Sequence, residues 1–190
     1  NGDGELRGEA GEMIEDALAL RPGNPLIAAL ASRVRLELFG DVDRARYLAG
    51  AARNACDRNP YALFSAAQVG LIEGQADAAY ATARLARLTA EGLPHTFAWD
   101  MEVCLTALGA GDLDMAHRSA KAAHHQNPSS RPALRYLVAL DLLRGQHAAA
   151  ADHAQRLRLL EPGFRFSHLA QPDYPSMTLR ATGYAEALPI

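Results

Sequence analysis

Small apolar residues recur at fixed offsets after four regularly spaced glycines, Gly40, Gly74, Gly111 and Gly145. Offsets of five, nine and twelve residues differ by four and three, which places the residues on one face of an α-helix. The pattern predicts one helix after each glycine and an all-α fold. The residues at these offsets are Ala45, Ala79, Ala116 and Ala150, then Ala49, Ala83, Ala120 and Ala154, then Ala52, Ala86, Ala123 and Leu157.

Prolines repeat in phase with the glycines. Pro25, Pro60, Pro94, Pro128 and Pro162 are separated by 35, 34, 34 and 34 residues. A proline suits the first turn of a helix, and a glycine suits the left-handed turn that ends one. The spacing therefore predicts a two-helix unit, in which helix A runs from proline to glycine and helix B runs from glycine to the next proline.

Two units are similar to the tetratricopeptide repeat. They begin Gly111-Asp112-Leu113-Asp114-Met115-Ala116 and Gly145-Gln146-His147-Ala148-Ala149-Ala150, and each has a proline 17 residues after its glycine. After Gly40 and Gly74 the proline comes 20 residues later, so helix B is about one turn longer there or ends in an irregular loop. The family's large aromatic of helix A is missing, which leaves a different helix-pair solenoid as an alternative.

The resemblance implies a right-handed α-α superhelix of about four helix pairs in a single domain. We expect an orphan helix B within residues 6–22, four helix pairs over 25–162, and a carboxyl-terminal cap over 163–190, in which a closing helix covers 176–187. The orphan helix favours a chain excised from a longer protein, and the alternative is that this helix serves as an amino-terminal cap. We predict the A helices at 25–39, 60–73, 94–109 and 130–144, and the B helices at 42–57, 76–90, 113–126 and 147–160. In the cap, the residues expected to cover the last apolar face are Phe164, Phe166, Leu169 and Tyr174.

The tail resembles the segment that closes the repeat region of bacterial multidomain regulators, including class III nucleotide cyclases and winged-helix regulators. The similar phrases are Pro162-Gly163-Phe164 and Ala187-Leu188-Pro189. The resemblance implies a sensory or interaction module of a signalling or transcriptional regulator.

In solenoids of this family the A helices line a concave groove, so residues at equal offsets form rows along it. The rows predict a largely apolar groove that suits a peptide with an apolar or amphipathic segment. Substitution of Leu105 and Leu108 by aspartate should then abolish binding and preserve helicity. The predicted groove residues are Leu30, Val34, Phe64, Gln68, Leu71, Met101, Leu105, Leu108, Arg135 and Leu142.

Composition narrows the classes of partner. The 39 alanines and 6% aromatic content favour close helix packing, and a net charge of −3 gives no general attraction to nucleic acid or anionic lipid. No apolar run is long enough for a membrane-spanning helix, and the first residues do not resemble a signal peptide. We therefore expect a cytoplasmic protein in which Cys56 and Cys104 are buried thiols.

We predict no catalytic residues, no metal and no cofactor. The sequence contains no glycine-rich phosphate loop, nucleophile elbow or His-Glu-x-x-His helix. The histidines of the later B helices are interpreted as solvated surface residues, and so are the late arginines with Asp141, Asp152 and Glu161 among them. These histidines are His117, His124, His125, His147 and His153.

The sequence therefore favours a protein-binding scaffold that is not an enzyme. The alternative is self-association into a homodimer or larger oligomer of a multidomain enzyme such as a nucleotide cyclase.

Overall fold

The computed structural model describes residues 2–171 and 182–184. Regular structure in these residues consists of α-helices and one 3₁₀ helix, Phe166–Ala170, so the predicted all-α fold class is confirmed. The α-helices in chain order are α1 (Gly2–Leu20), α2 (Pro25–Phe39), α3 (Val42–Ala55), α4 (Pro60–Ile72), α5 (Ala76–Thr89), α6 (Phe97–Gly109), α7 (Leu113–Gln126), α8 (Arg131–Leu143) and α9 (His147–Leu160).

The helices after α1 pack as pairs of helix A and helix B: α2 with α3, α4 with α5, α6 with α7, and α8 with α9. A glycine of positive φ follows each helix A, with φ of 66° at Gly40, 78° at Gly74, 80° at Gly111 and 69° at Gly145. After Gly111 the amide of Asp112 donates to the Ala107 carbonyl at 2.9 Å, which satisfies one of the carbonyls at the helix end. The predicted glycine turns are confirmed.

The small residues at the fixed offsets hold each pair together. All the predicted positions on the B helices are buried, and none is more than 3% exposed. Helix B also lies close to its helix A. An ideal Cβ on Gly70 of α4 would be 3.5 Å from the Cβ of Ala79 on α5, an ordinary van der Waals contact. A larger side chain at these offsets would push the two backbones apart.

The B helices all contain 14 residues, so none of them is extended. After Gly40 the proline comes later because Pro60 is the first residue of α4, whereas Pro128 lies in the loop before α8; after Gly74 the longer spacing comes from the irregular loop over 90–96. The loop after α5 contains Gly92 with φ of 82° and His95 with φ of 63°. A left-handed residue cannot continue a helix. The extended-helix alternative is therefore wrong.

Proline opens two of the four A helices at the predicted position. Pro25 and Pro60 begin α2 and α4, and the side chains of Asn24 and Asn59 accept hydrogen bonds from the amides of the two residues after each proline. The same prediction is wrong for Pro94 and Pro128. His95 delays α6 until Phe97, and Pro128 lies in a turn before Ser130, which caps α8.

The chain forms two compact units that meet in sequence between Ala90 and Glu91. In the first unit α1 packs on α2, and α4 packs on both α2 and α3. In the second unit α8 packs on α7 as well as on its partner α9. Leu134, Leu137 and Leu140 of α8 are fully buried in the core of that unit.

After α9 the chain folds back with Phe164 and Leu169 buried, as the sequence predicted for a covering segment. Phe166 is half-buried. Tyr174 lies outside the described residues, and so does most of the predicted closing helix over 176–187; its described part, 182–184, forms a turn. In the part of the chain that the structure describes, no helix has the length and apolar character needed to cross a membrane.

Candidate functional site

The predicted groove residues of the first unit lie on α2 and α4 and differ widely in exposure. Leu30 is 36% exposed, and Val34 and Gln68 are half-buried. Phe64 and Leu71 are buried. Only the first three are therefore open enough to touch a partner without rearrangement.

Polar contacts join α2 to α4 beside these residues. One oxygen of Glu37, Oε1, accepts from Nε2 of Gln68 at 2.9 Å and from the guanidinium of Arg33 at 3.4 Å. The guanidinium carbon of Arg33 also lies 4.3 Å from the centre of the Phe64 ring, an attractive cation–π distance. The α2–α4 face, defined as Leu30, Arg33, Val34, Glu37, Phe64 and Gln68, therefore combines open apolar side chains with polar groups held in place.

The predicted groove residues of the second unit are more enclosed. Met101, Leu108 and Leu142 are buried, and Leu105 and Arg135 are half-buried. The guanidinium of Arg135 pairs with the carboxylate of Glu161, the residue that follows α9. Leu108 is fully buried, so an aspartate there would enter the core. The double substitution of Leu105 and Leu108 therefore tests folding rather than binding, because an unpaired buried charge is strongly destabilising.

A buried cluster of titratable side chains in the second unit is absent from the sequence prediction. Asp141 of α8 is 0% exposed, and its two carboxylate oxygens face two different histidines. Nε2 of His117 on α7 lies 2.9 Å from Oδ1, and Nδ1 of His153 on α9 lies 2.8 Å from Oδ2. The interpretation of His117 and Asp141 as solvated surface residues is wrong.

A third histidine lies next to this cluster. The ring centre of His124 on α7 lies 6.0 Å from that of His153, and the two rings meet edge to face. Burial lowers the pKa of His117 below its ordinary value, although the hydrogen bond with Asp141 opposes the shift. Burial likewise lowers the pKa of His124, and the charges of His153 and Arg156 add to that shift. His117 and His124 therefore favour their neutral forms.

The described residues contain no group of three or more histidine, cysteine, aspartate or glutamate side chains placed to hold a metal ion. The two cysteines differ: Cys104 is buried, as predicted, and Cys56 is exposed, which contradicts the prediction. Burial, together with the charge of Glu102, raises the pKa of the Cys104 thiol. Cys56 is exposed because it follows the last residue of α3.

No protein-family model matches the sequence, and no curated protein matches it. The fold, however, is similar to that of several solved structures. PilW, described as a widely conserved type IV pilus biogenesis factor, has a TM-score of 0.72 and 17% identity, over 97% of this chain and 83% of PilW. PilF of Pseudomonas aeruginosa has a TM-score of 0.66 and 13% identity, over 98% of this chain and 90% of PilF.

YrrB is described as a tetratricopeptide repeat protein with an unusual peptide-binding site. It has a TM-score of 0.60 and 12% identity, over 93% of this chain and 94% of YrrB. Likenesses at such low identity show the fold alone. They agree with the helix pairs described above, so the predicted tetratricopeptide-like, all-α solenoid fold class is confirmed.

Proposed function

We propose that the chain is a non-catalytic protein-interaction module whose first unit binds an amphipathic peptide segment on the α2–α4 face. One observation carries the proposal: Leu30 and Val34 lie one helical turn apart on α2, both at least partly open, beside polar groups that are already fixed. Side chains held before binding lose less conformational freedom when a partner arrives.

The chemistry of this face selects the class of partner. The apolar strip of Leu30 and Val34 fits side chains repeated every three or four residues on a peptide helix. Glu37 is exposed and offers its remaining carboxylate oxygen at the edge of that strip. A partner helix with an apolar face and a basic residue at its margin satisfies both features.

The fold similarity supports the class of function, because YrrB, which shares the fold, is described as having a peptide-binding site. In the second unit the predicted groove residues are more enclosed, and the guanidinium of Arg135 is paired with the carboxylate of Glu161. Leu105 and Arg135 are the less buried of these residues, and they are the ones that would touch a partner in the second unit.

Selection from a random peptide library followed by calorimetric titration tests the proposal. Leu30→Asp removes the apolar contact, and we expect it to weaken binding of the selected peptides at least about tenfold, equivalent to about 1.4 kcal/mol. Leu85→Asp on helix α5 is the matched control, since Leu85 is 40% exposed and Leu30 is 36% exposed. Equal binding by the Leu30→Asp variant, or the absence of any selected binder, would contradict the proposal.

We further propose that the module serves a bacterial signalling or transcriptional regulator in the cytoplasm. The phrase Pro162-Gly163-Phe164 and the burial of Phe164 against the end of the second unit support this context. An antibody against the module should detect, in the cytosolic fraction, an endogenous protein longer than 190 residues. Detection in the membrane or secreted fraction, or at the length of the module, would contradict this context.

Self-association is the second candidate function, and exposed side chains on α1 favour it. Met13 and Leu20 are both largely exposed on that helix. Large exposed apolar side chains are a common feature of interfaces between copies. Sedimentation velocity over a wide concentration range separates the candidates, because a monomer at every concentration would contradict self-association and leave peptide binding in place.

A further inference from the structure

The buried cluster of His117, Asp141 and His153 joins three successive helices of the second unit. His117 belongs to α7, Asp141 to α8 and His153 to α9. An ionised carboxylate only accepts hydrogen bonds, so each imidazole donates: His117 through Nε2–H and His153 through Nδ1–H. With both rings neutral, every carboxylate oxygen of Asp141 has a donor.

Added protons change the charge of this cluster in steps. One proton on either imidazole gives a neutral cluster, in which one imidazolium compensates Asp141. A second proton leaves a net positive charge where Asp141 is fully buried, and burial of an uncompensated charge is costly. The arrangement is therefore stable only while at least one imidazole is neutral.

The surrounding charges increase that cost. The positive charges that act on His117 or His124 are Lys121 of α7, Arg144 after α8 and Arg156 of α9, and two acidic groups of this unit are already paired. Asp114 pairs with Arg144, and Asp152 pairs with Arg156. The charged and titratable groups around His117 and His124 are Asp114, Lys121, His125, Asp141, Arg144, His153 and Arg156.

His124 adds to the same effect. Its Nδ1 atom is buried and has no hydrogen-bond partner among the described residues. A proton added there would create a buried donor without an acceptor, next to the ring of His153. Acid therefore destabilises the cluster in two ways, by protonation of the rings that face Asp141 and by protonation of His124.

We propose that His117, Asp141 and His153 form a proton-operated latch that holds α7 and α9 on α8 at neutral pH and releases α9 in acid. The direction of the effect follows from linkage. His117 and His124 have pKa values lowered in the folded state, so the unfolded chain binds more protons than the folded chain as the pH falls below about 6.5. The contribution of the two neutral histidines to the free energy of unfolding is thus fully present above that pH, and it decreases as the pH falls toward their folded-state pKa values.

Hydrogen exchange of the whole chain, corrected for the intrinsic effect of pH, tests the latch helix by helix. Between pH 7.5 and pH 5.5 we expect the opening constant of amides in α9 to rise about tenfold, because opening of the cluster is accompanied by uptake of protons. Amides of α2 to α5 belong to the other unit and should change much less. Equal changes in both units would overturn the proposal.

Substitutions that keep the hydrogen bonds and remove the titration give the decisive comparison. Glutamine at 117 and asparagine at 153 each retain an N–H donor in the place of the ring nitrogen that faces Asp141. In the double variant His117→Gln/His153→Asn, the pH response of α9 should shrink to about twofold or less. His125→Gln is the matched control, because His125 is exposed on α7, and it should keep the wild-type response. A double variant with the full tenfold response would show that the latch does not exist.

The wild-type chain provides a measurement that needs no variant. In an NMR titration the ring protons of His117 should shift over the same pH range in which α9 loses protection. Titration of the His117 ring well above that range, with α9 still protected, would also overturn the proposal.

Discussion

The ring tip of Phe39 occupies the space where a side chain on Gly11 would begin. An ideal Cβ at position 11 would lie 3.0 Å from Cζ of Phe39, closer than most real Cβ contacts. Gly11 thus lets α1 lie against the end of α2, where Glu15 also pairs with Arg35 at 2.6 Å. A glycine inside a helix usually weakens it, so this glycine is explained by packing.

Gly11→Val should therefore detach α1 from α2. We expect a loss of about 1–3 kcal/mol in the free energy of unfolding, the usual range for overpacking, and loss of hydrogen-exchange protection in α1. Gly8→Val is the matched control, because a Cβ at position 8 meets no atom within 4 Å and the helix propensities change equally. Equal effects of the two variants would contradict the packing explanation.

Ala83→Leu should push α5 away from α4. Ala83 is fully buried at one of the fixed offsets, and three extra carbon atoms have no space there. Urea unfolding should show a loss of about 1–3 kcal/mol. Ala81→Leu, on an exposed position of the same helix, should leave stability nearly unchanged. Comparable midpoints for both variants would mean that the small residues do not set the distance between helices.

Asn59→Ala should weaken the start of α4. The side-chain oxygen of Asn59 accepts from the amides of Tyr61 at 2.9 Å and Ala62 at 3.3 Å, and alanine leaves both without that acceptor. The expected loss in the free energy of unfolding is about 1 kcal/mol. Asp57→Ala, exposed in the same loop, serves as the control and should have a much smaller effect.

The two thiols should react at very different rates. Cys56 is exposed, whereas Cys104 is buried with a raised pKa that keeps the thiol protonated. At pH 8 a disulfide reagent should modify one thiol quickly and the second only in denaturant. Cys56→Ser should abolish the fast phase. A fast phase that persists in that variant would show that Cys104 is reached without unfolding.

The repeat could be predicted from the sequence because its determinants are local. Gly111 and Ala116 lie five residues apart on one short segment, and the turn and the buried face that they predict need no knowledge of the neighbouring helices. The helix bounds followed directly from these markers. Among the starts of the A helices the error is at Pro94, where loop backbone outside the helix delays the first residue to Phe97.

The candidate site was harder to predict for a physical reason. Phe64 and Leu30 occupy the same row, yet Arg33 covers one and leaves the other open. Asp141 pairs with a histidine 24 positions earlier and another 12 positions later. Spacing along one helix carries no information about such partners, so the sequence predicts an exposed carboxylate at Asp141 although Leu140 and Leu142 flank it.

Because the B helices have a constant length, one helix pair can be exchanged for another as a structural unit. All four B helices have 14 residues and, apart from Leu157, present alanines at the same register, whereas lengths differ in the A helices and in the loops. A gene fragment that encodes one pair could therefore be duplicated or transplanted at a loop without shifting the contacts inside its neighbours. Recombination at loops offers a simple route by which arrays of this kind grow and shrink.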